Sequence, residues 1–200
     1  MITYIDTTLE IKLENDFHMR ADTTSLIYAL LFLGYLPTSL YIHHVFDNPR
    51  VPATLLMAVA FIVTGLANFF VGPSHILSSL IPNKLGIVGF GLFISGIGDA
   101  VTSIGAYQEM LQPFEEKIKI EKKDDIDREE LTDRLSGLYN AGLSLGTIMG
   151  PMLGSYVMIA FDSFRICSDF FSILTVVFGL LILLVVDIPS RLKKNTNSKT

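Results

Sequence analysis

The sequence predicts an all-α, polytopic membrane helix bundle of about five transmembrane helices, and three observations predict it. Half of the residues are hydrophobic and the mean hydropathy is +0.49. The 15 basic and 20 acidic residues are segregated: 51–83, 135–161 and 170–186 hold none of them, and 26–46 adds only two histidines. Uncharged runs near or above about 20 residues match the roughly 30 Å of hydrocarbon that a helix must cross. None of these runs alternates with period two in the ~10-residue segments of a barrel. A soluble globular domain is excluded.

The elements follow in order. Residues 1–23 carry five acidic and two basic residues and no basic-then-apolar pattern, so they are not a cleavable signal peptide. They are expected to form an extracytoplasmic segment. Helices are predicted over 24–46, 51–72 and 83–110, giving three spans within 24–110. Gly72-Pro73-Ser74 stops the second, and 74–81 is either a short interfacial helix or a plain loop. The linker 111–134 is expected to be solvated and partly helical or disordered, because charges of both signs fill it. Two further helices are predicted over 135–161 and 167–187. Pro189 and a basic tail, 188–200, follow.

Counting Lys and Arg orients the chain. Arg50, six residues of the linker (Lys117, Lys119, Lys122, Lys123, Arg128, Arg134) and Arg191, Lys193, Lys194 and Lys199 of the tail fall on one side, eleven in all. Lys12, Arg20, Lys84 and Arg165 fall on the other. The positive-inside rule then places the linker and the C-terminus in the cytoplasm.

Asp99 is the single ionisable residue between Leu85 and Tyr107. A carboxylate there costs about 2.5–3.5 kcal/mol on the insertion scale unless it meets water or a partner. It either lines a proton or cation pathway or only hydrogen-bonds nearby backbone. Gly142, Gly146, Gly150 and Gly154 recur every four residues on one helix face, the small-residue spacing of close helix packing. Pro151 lacks the N–H that would bond the Thr147 carbonyl, so a bend suited to packing or gating is expected. Tyr139 and Asn140 are candidates for the substrate or proton pathway or for interfacial hydrogen bonding. Asn68 is an interhelical hydrogen bonder or a substrate contact. Glu109 is a solvated interfacial residue or a contact to the linker.

Other chemistries find no support. His43 and His44 are adjacent and point about 100° apart on a helix, which suits chelation poorly, so no metal site is expected. Cys167 is the only cysteine, which excludes an intrachain disulfide. Phosphate-loop, nucleophile-elbow and zinc-protease motifs are absent, and Gly96-Ile97-Gly98 lacks the rest of a dinucleotide fingerprint. No cofactor and no enzymatic activity are expected. A net charge of −5 without a basic aromatic patch speaks against nucleic acid.

The stretch Leu135-Ser-Gly-Leu-Tyr-Asn140-Ala-Gly-Leu-Ser-Leu-Gly146-Thr-Ile-Met-Gly150-Pro151-Met-Leu-Gly154 resembles the eleventh helix of the major facilitator superfamily. It is closest to the branch of vesicular amine transporters and drug:proton antiporters. Tyr107-Gln-Glu109-Met-Leu resembles the end of that branch's tenth helix, and Ile5-Asp6-Thr-Thr-Leu9 the outer end of its seventh. The five spans are then similar to helices eight to twelve. Two departures stand out: His44-Val-Phe-Asp47-Asn-Pro-Arg50 lacks the Gly and several Arg of the family's loop between helices eight and nine, and the linker is long.

The resemblance implies the C-terminal half of a secondary active transporter. It would move a small organic solute, an amine or drug-like cation, coupled to protons by alternating access in a lipid bilayer. Asp99 and Asn140 would line its wall. The chain is expected to be a fragment or to need an N-terminal six-helix half as the second wall. The alternative is a non-transporting scaffold or regulatory subunit that packs through its Gly-rich helix.

Overall fold

The computed structural model describes residues 3–46, 51–72, 74, 84–121, 128–161 and 163–187. The loop 47–50 with Arg50, residues 75–81 of the candidate interfacial helix, Lys122, Lys123 and the tail with Pro189 lie outside the described residues.

Among the described residues six α-helices follow in order: α1 (Thr3–Phe17), α2 (Ala21–Phe46), α3 (Ala53–Val71), α4 (Leu85–Glu121), α5 (Arg128–Phe161) and α6 (Phe164–Ile182). A π-helical turn, Leu183–Asp187, continues α6. No strand occurs among the described residues. Helices α2 to α6 are each long and apolar enough to cross a membrane. The all-α bundle of five spans expected from hydropathy is the fold.

Two segments outside the predicted spans are helical, and in the described flanks of the linker this is the partly helical form expected. The N-terminal segment is a packed helix: Ile5, Leu9 and Leu13, spaced four apart on α1, are at most 1% exposed. They sit in one core cluster with Ile27 and Leu31 of α2, Val71 of α3, Val88 and Leu92 of α4, and Phe164, Cys167 and Phe171 of α6. Its low mean hydropathy hid this single apolar stripe. His18, in the left-handed region at φ 51°, ends α1, with the Met19 N–H bonded to the Leu13 carbonyl at 3.3 Å.

The described flanks of the linker are also helical. Helix α4 runs eleven residues beyond the expected end at 110, through Pro113, and α5 begins seven residues before 135. At 1.5 Å per residue α4 is about 55 Å long and projects past the hydrocarbon. Alternating charges one turn apart favour such extension, as in the Arg134–Glu130 pair at 2.6 Å.

Helix α4 is the axis of the bundle, with α2 and α3 packed along it and α6 beyond α3. Contact this close requires glycine. A Cβ on Gly96 would strike the Leu31 carbonyl oxygen and one on Gly34 the Phe93 carbonyl oxygen. Helices α2 and α4 therefore cross backbone to backbone. Helices α3 and α6 meet at Gly65 and Gly179 in the same way. Helix α5 packs mainly on α1.

Candidate functional site

A polar ladder climbs α4 at four-residue spacing, Asp99, Ser103 and Tyr107, so these side chains share one face. The Tyr139 hydroxyl of α5 donates to the Ser103 carbonyl at 2.8 Å, and the Tyr107 and Tyr139 rings meet edge to face at 5.6 Å. The Tyr107 hydroxyl and Ser136 Oγ share a hydrogen bond at 3.0 Å. Tyr35 of α2, beside the Gly34–Gly96 crossing, lies close enough to interact electrostatically with Tyr139. This polar tie holds the N-terminal half of α5 against α4.

Beside it opens a groove of about 510 Å³, lined by Met110 of α4 and by Leu138, Tyr139, Gly142, Leu143, Gly146 and Thr147 of α5. Asn140 is exposed on the same helix, and its carbonyl accepts from Ser144 at 2.8 Å. Asp99 is half-buried one turn before Ser103, and its Oδ2 is buried without a hydrogen-bond partner. The structure thus brings Tyr139, Gly142 and Gly146 together at the groove and places Asp99 one turn from its polar tie.

Asn68 lies elsewhere. It is 2% exposed inside α3, accepts from Ser95 Oγ of α4 at 3.2 Å through its side chain, and accepts from Ser168 Oγ of α6 at 2.9 Å through its carbonyl. Of the two meanings open for it in the sequence, the interhelical hydrogen bond is the one observed.

The glycine stripe of α5 divides. Gly154 is buried and its carbonyl accepts from Cys167 Sγ at 3.5 Å, and Gly150 and Pro151 are half-buried within a helix that runs on through the proline. A Cβ on Gly142 or Gly146 would meet no heavy atom within 4 Å. The close helix contacts of this chain fall instead on Gly34, Gly65, Gly91, Gly96, Gly98 and Gly179. Glu109 stands within reach of the Thr54 backbone. Among the described residues no group of three or more His, Cys, Asp or Glu converges on a metal-sized space.

At the opposite end of the bundle from the Tyr107–Ser136 contact, Lys12 of α1 is 4% exposed. Its Nζ donates to the Val71 carbonyl at 2.8 Å and stands 5.1 Å from the centre of the Phe164 ring. It caps the α3 C-terminus, where orphan carbonyls and the helix dipole favour a cation. Burial lowers its pKa to about 7, with Asp16 opposing and Arg165 adding to that shift.

Sequence reasoning gave no site role to Lys12, Thr64, Ser95, Ser103 or Tyr107. A usable signal was present in the i, i+4 spacing of polar residues within uncharged spans: Thr64 with Asn68, Ser95 with Asp99, and Ser103 with Tyr107.

A bundle of five membrane-length helices, with a carboxylate at mid-span and a groove beside a polar tie, defines a polytopic membrane protein. The family model of the Major Facilitator Superfamily matches residues 1–200, and the chain belongs to that superfamily of membrane transporters. No curated protein and no solved structure gives a significant match.

Proposed function

We propose that this chain forms the C-terminal six-helix wall of a secondary active transporter that moves a small organic solute, an amine or drug-like cation, in exchange for protons. A second six-helix wall completes the pathway, and the α4–α5 linker and the C-terminus face the cytoplasm. In this reading Asp99 alternates between a protonated and a substrate-paired state while α5 shifts over α4 about its Gly- and Pro-containing face. The observation that carries the reading is Asp99 itself, a lone mid-span carboxylate one turn from the tie that joins α4 to the groove-lining helix. Proton coupling and the amine or drug branch rest in addition on the resemblance of 135–154 to the eleventh helix of those antiporters.

The test is uptake of an organic cation by the assembled transporter in proteoliposomes. A pH gradient should drive accumulation and a protonophore should abolish it. Asp99→Asn should reduce the driven component by at least tenfold, about the effect of removing one essential proton-transfer group. Full driven uptake by that variant would reject the carboxylate's role.

One observation favours a second reading. The open space over Gly142 and Gly146 is a surface on which another membrane helix could dock, as a scaffold or regulatory subunit requires. Transport that is absent from every assembly, together with a stoichiometric complex lost in Gly146→Leu, would decide for it.

A further inference from the structure

The α3–α4 interface holds a polar rung that the groove does not use. The two helices are antiparallel neighbours, and their register is fixed by four contacts: Val71 against Gly91, Asn68 with Ser95, Thr64 against Gly98 and Met57 against Gly105. Each step of four, three and seven residues along α4 is matched by a step of three, four and seven back along α3. Asp99, four residues after Ser95, therefore stands at the level of Thr64, four residues before Asn68. The Thr64 hydroxyl occupies the space that a Cβ of Gly98 would need, which lodges it against α4 one residue from Asp99.

The upper rung is closed by the Ser95–Asn68 hydrogen bond at 3.2 Å. The lower rung is not. Thr64 is 3% exposed, and its Oγ1 and Asp99 Oδ2 are both buried with no hydrogen-bond partner. A threonine hydroxyl and a carboxylate facing one level of an interface normally bond to each other, because a buried polar atom without a partner is costly. Two such atoms left open at one level mark a place for a third group between them.

The geometry points to a binding site for a small, hard monovalent cation of sodium's size, held by Asp99 and Thr64 and backed by the Asn68–Ser95 pair. The donor set decides the class. Carboxylate, hydroxyl and amide oxygens suit a hard cation, whereas imidazole and thiolate, which a softer metal would take, are missing from the rung. One carboxylate supplies a single negative charge, which matches a monovalent ion. A divalent ion would call for further carboxylates, and no cluster of three or more His, Cys, Asp or Glu occurs among the described residues. The inference rests on reading Asp99 as the coupling carboxylate and adds a cation that competes with the proton for it, together with the residues that select that cation. An ion bound there clamps α3 to α4 next to the Tyr139 tie, so its arrival and departure bias how α5 sits over α4.

The test uses the 200-residue chain in lipid nanodiscs. Cys167 is the sole cysteine and is buried, so labelling by a fluorogenic maleimide during heating reads unfolding. Sodium chloride should raise the unfolding midpoint saturably by several degrees over choline chloride at equal ionic strength, since a ligand of the folded state stabilises it. Potassium should do less. Thr64→Val, which keeps the shape and removes the hydroxyl, should raise the half-effective sodium concentration by about tenfold or more, and Asp99→Asn should abolish the response. Coincident sodium and choline curves for the unaltered chain would overturn the site, as would a Thr64→Val chain that responds like it. Should Thr64→Val fail to fold, equilibrium binding of radioactive sodium to the unaltered chain and to Ser95→Ala decides alone: no saturable binding, or no weakening in Ser95→Ala, overturns the site. Proton-driven uptake without any sodium response removes the cation site and leaves the transport reading intact. A sodium response requiring Thr64 and Asp99 in an assembly that moves no solute keeps the site and removes the transport reading.

Discussion

Helices α4 and α5 are both long, apolar and rich in glycine, yet they do opposite work. In the most apolar stretch of α4 56% of the residues are buried, against 6% in α5. The glycines of α4 let two neighbouring backbones, those of α2 and α3, approach to contact distance, whereas Gly142 and Gly146 of α5 bare a surface. Small residues at four-residue spacing thus tell where a helix can be approached closely, and the partner decides whether it is. Nothing local to the helix distinguishes the two cases.

The comparison breaks most sharply at single methyl groups. Gly96→Ala puts a Cβ into the Leu31 carbonyl oxygen, which is backbone and has little room to yield. Overpacking of this kind should destabilise the chain by about 3 kcal/mol or prevent it from folding. Gly142→Ala adds the same methyl to open space and should be neutral, or stabilising by up to about 1 kcal/mol through helix propensity. Unfolding midpoints of the two purified variants check this. Equal losses would mean that the N-terminal half of α5 is packed as tightly as α4.

A second test concerns how α5 is held. It leans mainly on α1, and α1 is tied to the rest of the bundle by its buried stripe and by Lys12 bonded to the Val71 carbonyl. The folded-state pKa of Lys12, about 7, lies below its ordinary 10.5. Between those values the unfolded chain binds a proton that the folded chain does not, so stability falls as pH drops from about 10.5 to 7 and is level below. Lys12→Met removes this slope. The stability difference between variant and parent should therefore move in the variant's favour by about 1.4 kcal/mol for each pH unit crossed within that window. Parallel curves would show that Lys12 is charged in the folded chain throughout.

Much of this architecture is legible in the sequence, for a physical reason. Spans are written in hydropathy, a property summed along the chain, and the five predicted helices lie within a few residues of those observed except where α4 and α5 continue into the linker. Those extensions escaped because the linker's charges mark solvent, and a solvated helix leaves the same composition as a solvated coil. Helix α1 escaped because three apolar residues, Ile5, Leu9 and Leu13, carry its burial while the rest of it is polar. The site was legible only in part. Asp99 announces itself as a lone charge, whereas its neighbours Thr64 and Ser95 are small hydroxyls whose one sequence signal is their four-residue spacing from Asn68 and Asp99. Their meaning comes from the register of α3 on α4, which is a relation between helices and is not periodic within either.

The smallest expected effect probes the joint between the two helices themselves. Tyr139 is, with Ser136, a side chain through which the open helix touches the buried one, by its bond to the Ser103 carbonyl and its edge-to-face contact with Tyr107. Tyr139→Phe deletes the hydroxyl and keeps the ring contact, so it isolates the hydrogen bond at a cost of about 1 kcal/mol. Because α5 packs on α1 and not along α4, that loss should appear as faster amide exchange in α5 over residues 135–147, with α3 and α4 unchanged. Ser103 presents a main-chain oxygen to this bond, so Ser103→Ala should leave exchange in α5 as it was. An equal increase along α4 would mean that the two helices move as one body, and the contrast between a rigid axis and a loosely held flank would then give way to a single rigid wall.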